Sequence, residues 1–195
     1  IWPAYFEDLR RAGFVGVQNF PTVGLIDGSF GQMLAETGMG YEVEVHALKL
    51  ARQAGLLTAA YVFSPEQARQ VALAGTDIVV AHMGTTVKGK IGAKTSMGLD
   101  EAVSRTRDIC DSAKEVDPDV LVMCHGGPIA EPHEAAYVIE KVDGVVGFFG
   151  ASSVERLPAE TAITQRVREF KGIGLVRQDR GDGPQRTSSQ LREAR

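Results

Sequence analysis

The chain has 195 residues, 21 Lys and Arg against 25 Asp and Glu, a net charge of −4 and 44% hydrophobic residues. That balance is enough for one domain with a real core, and a mildly acidic chain is a poor partner for nucleic acid, so no nucleic acid is expected. No apolar run reaches the ~18–20 residues of a membrane span and no charged-then-apolar leader opens the chain, so no membrane partner and a cytoplasmic setting are expected.

The opening residues, IWPAYFEDLRRAG, read as a helix already under way. Val15–Phe20 is the first short apolar run, and four more follow: Thr58–Phe63, Ile78–Met83, Val120–His125 and Val145–Phe149. Their apolar residues occupy both faces, as in strands of a fully covered parallel sheet. Between the first two runs, Tyr41–Ala54 repeats apolar residues at Val45, Leu48 and Ala51, and Gly55 stops it as a C-terminal glycine does. Ser64-Pro65-Glu66 starts the next helix with a cap and a proline in the first turn, and Gly75 ends it. Asp100 opens a helix buried through Val103, Thr106, Ile109, Cys110 and Ala113. Pro132–Val142 and Pro158–Phe170 complete the series. Cys110 in a helix and Cys124 in a strand suggest no disulfide framework.

The order is a helix followed by βα repeated, an α/β chain with parallel strands. No Gly-x-Gly-x-x-Gly follows a strand, and polar, glycine-rich residues gather after strand ends all along the chain. Both features favour a TIM (β/α)8 barrel over a doubly wound sheet. About five βα units fall short of eight, and a complete barrel takes ~250 residues. Residues 1–173 are therefore expected to be the C-terminal part of a barrel lacking its first strands, and residues 174–195, polar and rich in Gly, Ser and Arg, a disordered tail.

In a barrel the chemistry sits on the C-terminal ends of the strands and the loops that follow. Two of those loops are long. Pro21–Gly40 holds a short helix near Phe30–Glu36, and Gly84–Leu99, with Lys88, Lys90 and Lys94 between glycines, has the make-up of a lid that closes over an anion. His82 and His125 each end a strand, where an imidazole can exchange protons near neutral pH. His46 and His133 fall on helical positions facing solvent. Gly126 and Gly127 after one strand, and Gly150, Ser152 and Ser153 after the next, offer N–H groups, hydroxyls and a helix start for phosphate. Plain turns are the competing reading. Glu36 and Asp27 are the carboxylates of the first long loop, either one a general base or a ligand for a divalent cation. Gln18 and Asn19 interrupt the first strand, where they either point into the mouth and reach the ligand or satisfy loop backbone. No Cys/His cluster has zinc spacing.

GVQNFPTVGLIDGSF, ETGMGYEVEV, AHMGTTVKGKIGAKT, CHGGPIAEP and GFFGASSVERLP, in that order, resemble the phosphoenolpyruvate hydrolase-like family over residues 1–173. That family is described as a TIM barrel of the indole-glycerol-phosphate-synthase-like kind, and a related barrel forms the C-terminal domain of the plant Tm-1-type proteins. Members carry further N-terminal residues that cover the first barrel strands. The resemblance implies a hydrolase acting on a small anionic substrate, phosphoenolpyruvate, at the C-terminal mouth. His125 would move a proton, His82 or Glu36 would orient water or protonate the enolate, and a lid lysine would offset charge. Magnesium (Mg) is a candidate bridge, but the acidic metal-binding cluster of phosphonopyruvate hydrolases and phosphoenolpyruvate mutases has no match here. The reading from a different class is a non-catalytic small-anion-sensing or protein-interaction module. Hydrolase or lyase chemistry on another oxo acid is a third. A barrel missing strands exposes apolar edges, so a homo-oligomer is a further expectation.

Overall fold

The computed structural model describes residues 1–94 and 97–173; the tail expected to be disordered, 174–195, lies outside the described residues. The elements run α1 (Trp2–Arg11), β1 (Gly16–Gln18), α2 (Gly28–Glu36), α3 (Tyr41–Gln53), β2 (Leu57–Val62), α4 (Pro65–Leu73), β3 (Ile78–His82), α5 (Leu99–Lys114), β4 (Leu121–His125), α6 (Pro132–Lys141), β5 (Val145–Phe148) and α7 (Ser152–Lys171). Ser64 caps α4, its hydroxyl accepting from the Gln67 N–H. Glu134 caps α6, its carboxylate accepting from the backbone N–H groups of Ala130 and Glu131 at 2.9 Å each. The last helix departs from expectation: it begins at Ser152 and runs through Pro158, which the sequence suggests as its start. Proline lacks an N–H, so it is easiest to place in a first turn; here it sits in the second and leaves one backbone carbonyl without its helical donor.

The five strands form one sheet in the order β1-β2-β3-β4-β5, every neighbour parallel. Each strand therefore pairs with the next in sequence, and no reversal of order creates the crevice of a doubly wound sheet. Register alternation gives the sheet two unlike faces. Ala60, Val62, Val79, Ala81, Val122 and Cys124, all at 0% exposure, point to one face. There they pack with Leu48 of α3, Val71 of α4, Ile109 of α5 and Val138 of α6. The other face carries Leu57, Tyr61, Val80, Leu121 and Met123, and Leu57 and Leu121 are about half exposed, at 49% and 47%.

By contact the chain forms two units, residues 1–160 and 161–195. In the described part of the second, Ile163, Val167 and Phe170 are exposed at helical spacing. Among the described residues no helix is long and apolar enough to cross a membrane. Cys110 and Cys124 are buried and free, and burial pushes the Cys124 thiol up to about 11.

Candidate active site

Parallel pairing in register decides where the two strand-end histidines meet. Ile78 pairs with Leu121 and each later residue with its counterpart, so the last pair is His82 with His125. Directly opposed residues of a parallel pair share a face, and the two rings lie 4.5 Å apart between centroids, edge to face. Aromatic rings enclose them. Tyr61 stands 4.7 Å from His82 and stacks on His125 at 5.1 Å, Phe63 lies 4.8 Å from His82, and Phe149 lies 6.1 Å from His125.

Backbone groups give the two imidazoles opposite tautomers. The Gly84 N–H donates to His82 Nδ1 at 3.0 Å, so the neutral ring carries its proton on Nε2. His125 Nδ1 lies 2.5 Å from the Phe149 carbonyl, which can only accept, so this ring carries its proton on Nδ1 and keeps a lone pair on Nε2. The pair thus offers one donor and one acceptor at adjacent positions. Burial lowers the His82 pKa to about 3, with the neighbouring His125 adding to the effect, and burial also lowers His125. The imidazoles are neutral at pH 7 in this state, where the sequence suggests groups titrating near neutrality.

Tyr61, which the sequence reading passes over, is fixed at both backbone groups. Its N–H donates to Asn19 Oδ1 at 2.7 Å and its carbonyl accepts from Asn19 Nδ2 at 3.2 Å and Tyr41 Oη at 2.8 Å. Asn19 therefore acts as a rung of ladder added past the end of β1. Glu44 holds Asn19 in turn, accepting from its Nδ2 at 2.8 Å, from Thr22 Oγ1 at 2.6 Å and from the Val23 N–H at 2.7 Å. The Asn19 side chain is thereby committed to the scaffold, which corrects its assignment to a ligand. The missed signal was position: an aromatic residue next to last in β2 falls beside the histidines once strands pair in order.

The glycine pair after β4 also has a structural employment. Gly126 and Gly127 have φ of +75° and +58°. A Cβ on Gly126 would come within 2.3 Å of the Gly84 carbonyl oxygen, and one on Gly127 within 2.3 Å of that of Met83. The Met83 N–H donates to the His125 carbonyl at 2.8 Å, and the Gly127 N–H donates to the Gly84 carbonyl at 2.7 Å. Two glycines let the β4 loop clasp the β3 loop, and the Gly127 N–H is occupied by that clasp rather than offered to phosphate. This corrects the reading of Gly127 as an anion donor.

The lysine loop is fastened as well. Lys88 Nζ lies 2.8 Å from Glu134 Oε1 and 4.0 Å from Glu131, while Arg156 Nη2 donates to the Lys88 carbonyl at 3.1 Å. Burial raises the Glu134 carboxyl, but Lys88 and two backbone N–H groups outweigh it and hold the net pKa below the usual range. The Lys90 N–H donates to Glu160, and Lys94 is exposed. Gly150, Ser152 and Ser153 follow the C-terminal end of β5, with the serines opening α7. The Ala151 carbonyl receives the N–H groups of Val154 and Glu155. Glu36 ends α2 in an exposed position, where Gln32 Nε2 donates to it at 2.7 Å, and Asp27 stands exposed just before that helix. Among the described residues no group of three or more His, Cys, Asp or Glu is placed to hold a metal ion. His46 and His133 are exposed, as expected.

Comparison with known proteins adds the lineage. The tomato (Solanum lycopersicum) proteins ToMV susceptible protein tm-1(GCR26) and ToMV resistance protein Tm-1(GCR237) are each 53% identical over 171 residues, which is 88% of this chain and 23% of each relative. The chain thus spans about a quarter of the length of these curated relatives. A crystal structure of phosphonopyruvate hydrolase with oxalate and Mg2+ aligns over 97% of this chain and 85% of that one, at 12% identity and a TM-score of 0.38. The family model described as phosphoenolpyruvate hydrolase-like matches residues 1–173, and the chain belongs to that family.

Proposed function

We propose that these residues supply part of the mouth of a (β/α)8 barrel hydrolase that acts on a small phosphorylated or oxo acid, with phosphoenolpyruvate as the substrate the family suggests. The consecutive order of five parallel strands supports the barrel, because each strand continues a single winding direction. One observation carries the functional reading: two neutral imidazoles of opposite tautomer stand side by side at the C-terminal ends of adjacent strands.

In this reading His125 Nε2 is the base, and His82 Nε2–H donates to the oxygen on which charge develops. A neutral imidazole suits that second role, since it polarises an oxygen without first requiring a proton from solvent. The imidazolium formed on His125 keeps its Nδ1–H bond to the Phe149 carbonyl, which strengthens as the ring becomes charged. Gly150 and the serines at the start of α7 are the remaining groups offered to phosphoryl oxygens, together with Gly126 and the charges of Lys90 and Lys94. The ligand is a small anion, and copies of the chain associate. No step is routed through magnesium.

Phosphate release from phosphoenolpyruvate, measured for the wild-type protein and for His125→Ala, tests the reading. A loss on the order of 100-fold or more is expected for removal of the base. Equal rates in the two proteins would take His125 out of the mechanism.

A further inference from the structure

The backbone of Tyr61 is held by side chains of β1 and α3 neighbours rather than by a continued strand ladder. Both of its backbone polar groups are held by Asn19, its carbonyl also by Tyr41, and Asn19 by a carboxylate on α3. The result is a ring stacked on His125, with an interplanar angle of 17°, and a phenolic Oη that lies 3.5 Å from His125 Nε2. That nitrogen is the one left with a lone pair once Nδ1 donates to Phe149. The phenol can only donate toward it. At 3.5 Å the bond is long, as catalytic hydrogen bonds often are before a substrate draws them in.

A second group lies on the neighbouring strand, where Gln18 pairs with Ala59, two residues before Tyr61. Burial raises the Tyr61 pKa and Gln18 works against that rise, while Gln18 Nε2 is buried without a hydrogen-bond partner among the described residues. A buried amide donor left unpaired is costly in the resting state, and an acceptor that arrives during function would satisfy it. An Oη that gains negative character as its proton moves to His125 would be such an acceptor.

We propose that Tyr61 is a catalytic residue of this mouth, relaying the substrate's proton to His125 while Gln18 steadies the phenolic oxygen. The inference rests on the reading of the site as one that moves protons, and adds the residue through which the base acts. In the step, an acidic O–H or C–H of the bound water or substrate gives its proton to Tyr61 Oη, and the bonding pair stays behind on that oxygen or carbon. Tyr61 gives its own proton to His125 Nε2. The phenol ends unchanged, and the imidazole becomes an imidazolium. His82 Nε2–H faces the charge left on the substrate. Asn19 and Glu44 are positioning residues: they act by holding the backbone of Tyr61.

Tyr61→Phe keeps the stacked ring and removes only the hydroxyl, so it separates relay from packing. Two readings are taken on wild type and variant: the imidazole 15N resonances of His125, and turnover of phosphoenolpyruvate as phosphate release. Expected are a shift of the His125 Nε2 resonance with Nδ1 and the His82 signals unmoved, and a fall in kcat of about 100-fold or more with KM little changed. A wild-type proton inventory in mixed H2O and D2O provides a measurement that does not depend on the variant folding. Curvature showing two protons in flight supports the relay, and a straight line overturns it. An unmoved Nε2 resonance overturns it as well, and so does a wild-type rate in a folded Tyr61→Phe protein. If wild type turns over no phosphoenolpyruvate, the reading of the substrate fails, and the Nε2 resonance alone decides whether phenol and imidazole are joined.

Discussion

The two faces of one sheet divide the work of this molecule. On the helix-covered face, Ala60, Val62, Val79, Ala81, Val122 and Cys124 are fully buried against helices α3 to α6, and all are small or β-branched. The opposite face uses the alternate residues of the same strands, yet it carries Tyr61, His82 and His125, and it leaves Leu57 and Leu121 half exposed. Stability should therefore answer to the first face, and proton chemistry to the second.

Shortening Ile109 of α5 is the strongest test of the first half. Its side chain is 2% exposed and packs in the main core cluster. Ile109→Ala removes buried methyl groups and leaves a cavity, so urea unfolding should show a loss of roughly 2–5 kcal/mol. The imidazole signals of His82 and His125 should stay where they are in wild type. Movement of those signals would show that the faces are coupled through the strands.

Acid should act on the second face. His82 titrates at about 3 when folded and near 6.5 when unfolded, so between those values the unfolded chain binds the extra proton. Stability is complete above about pH 6.5 and falls as the pH drops toward 3. For His82 alone the loss at pH 5 is on the order of 2 kcal/mol, and His125, lowered as well, adds to it. Urea unfolding from pH 7 to pH 5 measures this, and His82→Gln should flatten the slope. A slope unchanged by that substitution would place the buried protonation elsewhere.

How far these features could be read from residues alone depends on whether the signal was local. Strand–helix alternation, the Ser64 cap and the stops at Gly55 and Gly75 are local, and the structure agrees with them. So is the ending of two strands on histidine, and in-register parallel pairing then brings His82 and His125 together. What stayed hidden depends on pairing across the chain. Asn19 looks like a ligand-facing residue until its amide is seen laddered to Tyr61, 42 positions away. Gly127 looks like an anion cradle until its N–H is found on the Gly84 carbonyl. Pro158 marks a helix start in sequence, because a single lost hydrogen bond inside a 20-residue helix leaves no trace in composition.

The lysine loop gives the smallest effect and the sharpest choice between two uses of one residue. A lysine that closes over a substrate anion should lower affinity by tenfold or more when removed, since each factor of ten is about 1.4 kcal/mol of lost interaction. Lys88 instead meets Glu134 at 2.8 Å, with side-chain exposures of 37% and 15%. A partly exposed pair of this kind contributes about 0–1 kcal/mol, and salt screens it. Lys88→Ala should accordingly change stability by less than about 1 kcal/mol, leave phosphoenolpyruvate affinity within about threefold, and speed trypsin cleavage at Lys90 and Lys94. High salt should bring wild-type cleavage toward the variant's rate. A tenfold loss of affinity with unchanged cleavage would mean that Lys88 leaves Glu134 for the ligand, and the loop would then belong to the chemistry of the open face rather than to its frame.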